Sequence, residues 1–228
     1  MSESTLTRVP LSWVALGDLF VRPTRFFQSV DLGAGRAWEV AILLVGMSGA
    51  IGRIDQNLTR ADLGRPRPGW ETLGPFVTES WAAFWVFVIV GGLVSAAFIW
   101  YLGGWFYNLR LRWSGARNFD KREGRLVYTF AGLVSAIPSL LYVVIATAVF
   151  PNYQAAWDSE ELWSVVLLAF PFWAVIASYL GVRARFAVSP MRARIWFLIL
   201  PMLGYTIALG ILGALYALVD SNSGGTAV

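Results

Sequence analysis

Arg110, Arg112, Arg117, Lys121, Arg122 and Arg125 fall in one short stretch, "GGWFYNLRLRWSGARNFDKREGR" (residues 103 to 125), interleaved with aromatic side chains. Cations for phosphate oxygens and rings for stacking suit a nucleic-acid groove, and they suit a surface of anionic lipid headgroups equally well. Arg183, Arg185, Arg192 and Arg194 form a second cluster. Other reactive chemistry is scarce. The chain has no histidine and no cysteine, which excludes imidazole and thiolate metal sites, cysteine nucleophiles, Ser-His centres and disulfides. No catalytic residue, metal ligand or cofactor is expected.

The elements that carry these cations decide between the two readings. In a chain of 228 residues, 57% hydrophobic residues and a mean hydropathy of +0.60 place it among membrane proteins. Residues 80–109, "SWAAFWVFVIVGGLVSAAFIWYLGGWFYNL", carry no charge. At about 1.5 Å per helical residue they are long enough for a hydrocarbon core of roughly 30 Å. Residues 126–150, 162–182 and 195–219 are likewise uncharged. Residues 37–54, with Glu39 and Arg53 near their ends, read as the first span. The expected fold is an all-α integral membrane protein, a five-transmembrane-helix bundle over residues 37–219. Ser189-Pro190 reads as a helix start, and Asp120-x-x-Glu123 and Asp158-x-x-Glu161 resemble capping boxes. Residues 220–228 read as a short disordered tail.

The distribution of basic residues orients the bundle. Arg8, Arg22, Arg25 and Arg36 precede the first span, and they join the two clusters on one side. Only Arg53, Arg60, Arg65 and Arg67 fall on the other, so fourteen of the eighteen Lys and Arg residues share one face. The positive-inside rule then predicts a cytoplasmic N-terminus and an extracytoplasmic C-terminus. The stretch 103–125 becomes the cytoplasmic exit from the second span. At about 2.5–3.5 kcal/mol per basic side chain near the bilayer centre, its six cations cannot be submerged. A membrane-facing loop is favoured over nucleic acid.

Ahead of the first span, the cytoplasmic segment 1–36 shows no signal-peptide layout, since its apolar run is interrupted by Asp18. Trp13, Leu16 and Phe20 lie at i, i+3 and i+7, and Pro23 restarts the chain with Phe26 and Phe27. This predicts an N-terminal interfacial amphipathic helix anchored by Trp13, Phe20, Phe26 and Phe27, with a short helix packed on the bundle's cytoplasmic end as the alternative. Glu39 is the one ionisable group read within a span, and its spacing from Arg36 predicts an ion pair on one helix face. The uncharged interior argues against proton- or sodium-coupled transport. Pro138, Pro171 and Pro201 interrupt the last three spans, while Gly92 with Ala96, and Thr206 with Gly210 and Ala214, offer small faces for close helix contact.

Three stretches carry a family resemblance: "RPTRFF" before the first span, "GGWFYNLRLRWSGA" at the exit from the second, and "RLVYTFAGLVSAIPSLL" in the third, with Tyr128 and Pro138. With five spans and an inside N-terminus, the chain resembles the Yip family of Ypt-interacting membrane proteins, in particular its bacterial branch. The resemblance implies a five-span helical bundle working through partners or lipids, and a bacterial inner membrane as its location. It departs from the eukaryotic members in lacking an Asp-Leu-Tyr-Gly-Pro segment ahead of the first span, so Rab binding is not carried over. The expected function is a non-enzymatic scaffold or accessory subunit. It would hold membrane lipids, protein partners or further copies of itself through Arg110, Arg112, Arg117, Arg122, Arg183, Arg185, Arg192 and Arg194, and not nucleic acid. The alternative is a transporter's membrane subunit, such as a permease component driven by an ATPase.

Overall fold

The computed structural model describes residues 10–159 and 166–223, and every regular element among them is helical. Two short helices lead, Trp13–Val21 and Pro23–Ser29. The Ser12 hydroxyl caps the first by accepting from the Ala15 amide at 3.2 Å, and Pro23 opens the second, where its missing N–H costs nothing. Five long helices follow. They are Ala37–Asp62, Trp81–Trp113, Lys121–Val149, Ala169–Arg185, and a last one built from Pro190–Arg194, Ile195–Ile199 and Leu200–Ser223.

The first, second, third and fifth of these are long and apolar enough to cross a membrane. The fourth shows 17 residues. The beginning of its expected span, residues 162–165, lies outside the described residues, as does Glu161 of the second capping motif. Asp158 ends a short helix, Tyr153–Asp158, and accepts from Gln154 Nε2 at 2.9 Å. The first capping motif divides its work: Asp120 accepts from the Arg122 amide at 2.8 Å, while Glu123 pairs with Arg185. The last helix continues through Ser223, beyond the expected start of the tail, and residues 224–228 lie outside the described residues.

The first long helix runs past Ile54 to Asp62 because its apolar stripe continues. Ile51, Ile54 and Leu58 share one face and are buried with Trp70, Val77, Phe84 and Val88. Trp70 and Val77 belong to a short helix, Trp70–Thr78, lying on the connection to the second long helix. A second cluster occupies the opposite end, where Leu19, Phe26 and Phe27 of the leading helices meet Tyr107, Phe130, Ala177 and Phe197 of the bundle.

The first and second long helices cross with backbone against backbone. A Cβ on Gly46 would fall 2.3 Å from the Gly92 carbonyl oxygen and 2.8 Å from Ala96 Cβ. The Gly92 and Ala96 pair is therefore a contact within the chain. By contrast, a Cβ on Gly210 would meet nothing within 4 Å.

The three prolines act differently. The third long helix passes through Pro138 without a break. Pro171 sits in the first turn of the fourth, where no intrahelical donor is needed. Pro201 follows a wide π turn, Ile195–Ile199, and that turn builds part of the site.

Candidate functional site

The sequence "RWSGA" ends the second long helix with a Schellman turn. Gly115 takes φ +91°, its amide donates to Arg112 O at 2.9 Å, and the Ala116 amide reaches back to Leu111 O at 3.1 Å. The loop is thus confined to residues 114–120, and Arg110 and Arg112 stand on the helix itself. Ser114 O accepts from the Ser189 amide at 2.9 Å, and the Phe119 and Phe186 rings meet at 5.8 Å. The two basic clusters therefore form one surface. The leading helices join the fourth long helix through Trp173 Nε1, near that helix's start, which donates to Phe20 O at 2.8 Å.

The predicted cations divide into two groups. Arg112, Arg117, Arg122, Arg183, Arg192 and Arg194 are exposed, and none is in an ion pair among the described residues. Arg122 lies 5.6 Å from the Trp38 ring centroid. Arg110 and Arg185 turn inward. The Arg185 side chain is 2% exposed; it donates from Nη1 to Glu123 Oε1 at 3.1 Å and from Nη2 to the Val30 carbonyl. It ties the fourth long helix, the third and the end of the leading segment together.

Arg110 lies over the Phe197 ring at 4.3 Å and donates through Nε, at 2.9 Å, and Nη2 to the Trp196 carbonyl. In the wide-turn register, the amide donor to that carbonyl would come from residue 201, which is proline. The guanidinium takes the place of the missing amide.

Two of the four expected anchor residues, Phe26 and Phe27, pack inside the protein, where both are fully buried. Their rings pack edge to face at 5.1 Å, and a Cβ on Gly181 would lie 2.8 Å from Phe27 Cε2, so the glycine makes room for that ring. Burying both rings against the bundle removes them from any lipid surface. Phe20 is half-buried, and the Trp13 side chain lies outside the described residues. Among the described side chains of these helices, the large apolar ones exposed are Val14 and Val21.

The family model of the Yip1 domain matches residues 17–214, from the first leading helix into the last long one. The chain belongs to the Yip1 family. No curated protein and no solved structure matches it. With four helices suited to crossing a bilayer, it is a multi-pass membrane protein of that family.

The opposite end of this Yip1 protein holds a polar group that sequence reasoning missed. Tyr153 donates its hydroxyl to Asp55 Oδ1 at 2.5 Å and stacks on Phe84 at 4.3 Å, while Trp157 Nε1 reaches Asp62 Oδ2 at 3.0 Å. Burial, and then the neighbouring carboxylate, push the Tyr153 phenol well above its ordinary range, which keeps it a donor. An expected first span over residues 37–54 stops just short of Asp55, and pairing across 98 residues has no local signature. At the exposed N-terminal end of the first long helix, the Arg36 and Glu39 pair forms at 3.6 Å.

Proposed function

We propose that this Yip1-family protein is a non-enzymatic membrane scaffold or accessory subunit whose basic end receives anionic lipid headgroups and acidic partners. One observation carries this reading. Six exposed guanidinium groups, on Arg112, Arg117, Arg122, Arg183, Arg192 and Arg194, stand on one welded surface with no carboxylate spent on them among the described residues. Each cation near an anionic membrane surface contributes about 1 kcal/mol, so six together give substantial attraction that falls with salt. In this reading the chain crosses a bacterial inner membrane five times, with the N-terminus and the basic end in the cytoplasm. Val14 and Val21 are the residues of the leading helices that would dip into the interface. The lack of histidine and cysteine in the sequence supports a role without catalysis.

The reading is tested by reconstituting the full chain in nanodiscs of mixed phosphatidylcholine and phosphatidylglycerol and measuring which lipid is enriched around it. Wild type should enrich phosphatidylglycerol at low salt, and neutralising the six arginines to glutamine should abolish the enrichment. Equal enrichment by both proteins would overturn the lipid reading. Solute flux through the purified chain in proteoliposomes would replace the scaffold with a transporter.

A further inference from the structure

Behind the basic surface the bundle encloses a cavity of about 400 Å³, walled by residues of all five long helices. That volume falls within the roughly 300–1,000 Å³ of small-molecule sites. It is elongated. Its wall includes Arg110 near the basic end and Ile99 deeper on the same helix, a separation of about 16 Å at 1.5 Å per residue. The chemistry changes along that length. Around Arg110 stand the hydroxyls of Tyr107 and Ser178, hydrogen-bonded to each other at 3.1 Å, and that of Tyr128. Deeper, the wall carries no charge: Val45, Ile99, Ala136 and Pro171 stand there with the hydroxyls of Ser48 and Ser135.

Arg110 is the one charged residue in this wall among the described residues. It has no carboxylate partner there, and Nη1 makes no hydrogen bond beyond the two that Nε and Nη2 give to Trp196 O. An unpaired cation inside a membrane protein is costly unless it faces water or a counter-anion. The cavity is where that anion would sit.

One side of the cavity also borders lipid. Pro201 and Tyr205 of the last long helix form part of its wall. That helix packs on the fourth through Tyr205 and Phe172, with rings 5.7 Å apart, and leaves Leu203, Ile207 and Ile211 more than half exposed. An acyl chain leaving the cavity on this side would pass Tyr205 and then meet the exposed Leu203, Ile207 and Ile211.

We propose that this cavity binds one anionic phospholipid, its phosphate against Arg110 and the Tyr107, Ser178 and Tyr128 hydroxyls and an acyl chain along the uncharged depth. The site is separate from the exposed arginines. Its ligand is held by burial as well as charge, so it resists the salt that strips surface-bound lipid.

The test uses the full chain in mild detergent, loaded with phosphatidylglycerol or with phosphatidylcholine of the same chains. It is then washed in about 1 M salt, where the screening length is roughly 3 Å. Wild type should retain one phosphatidylglycerol per chain and much less phosphatidylcholine. Arg110→Gln should weaken retention about tenfold or more, as expected when a charge-assisted hydrogen bond is lost. Arg110 also serves the Trp196 carbonyl, so a second variant, Ser135→Leu, is decisive. Ser135 bonds only within its own helix, to Gly132 O at 3.1 Å, and a leucine there fills the cavity without touching Arg110. It should fold, melt near wild type and lose the lipid, while Arg53→Gln at the other end keeps it. Equal retention of the two lipids, or retention surviving Ser135→Leu, would overturn the proposal. Inorganic phosphate alone reproducing the full lipid-induced rise in melting temperature would overturn it too. Lipid held at low salt but wholly lost in the wash would also refute the cavity site and leave the surface reading intact.

Discussion

Tyr153 donates its hydroxyl to Asp55 Oδ1 at 2.5 Å, fastening the short helix after the third long helix to the far half of the first. The carboxylate has few other means of satisfaction at a packed helix end. Tyr153→Phe should therefore cost about 1.5–3 kcal/mol, the range for a hydrogen bond to a charged group. Asp55→Asn, which keeps an acceptor, should cost less. Thermal unfolding in detergent measures both, and an Asp55→Asn loss as large as that of Tyr153→Phe would show that a neutral acceptor cannot replace the carboxylate.

Arg183 and Arg185 differ by two positions and by environment. Arg185→Met removes, from a side chain only 2% exposed, the bonds to Glu123 and to the Val30 carbonyl, and should destabilise by about 3–5 kcal/mol. Arg183→Met removes an exposed cation and should stay within about 0.5 kcal/mol. Unfolding of the two variants side by side checks the contrast.

At the crossing of the first two long helices, Gly46→Ala would press a methyl group into the Gly92 carbonyl, backbone that cannot swing aside. It should lose about 1–3 kcal/mol. Gly210→Ala adds its methyl to open space and should be neutral or gain up to about 1 kcal/mol of helix propensity. Melting temperatures moving in the same direction for both would contradict the packing described here.

The absence of native cysteine permits a direct test of orientation. Arg117→Cys and Ala187→Cys lie on the basic end and Arg67→Cys on the opposite connection, and all three positions are exposed. In sealed cells an impermeant maleimide should label position 67 at once, and positions 117 and 187 only after permeabilisation. The reverse pattern would invert the cytoplasmic assignment.

Much of this could be read from the chain before folding was considered. Uncharged runs identify membrane helices because desolvating a charge costs more than any local contact returns. The lopsided arginines mark one end as basic by simple position along the chain. Asp120 ahead of Lys121 announces its cap, since a cap acts over a few residues. What a helix faces is a different matter. Phe26 and Phe27 carry the same apolar signal whether they meet lipid or protein, and only the room at Gly181 shows that they meet protein.

The arginines follow the same division. Sequence alone determined that they gather at one end, because charge and position are properties of the chain. Tertiary structure alone decided that Arg110 and Arg185 turn inward while Arg112 and Arg183 face out, because their partners are carbonyls, rings and a carboxylate from distant segments. Hydropathy is a property of residues, but the satisfaction of a buried charge depends on the groups that folding brings around it.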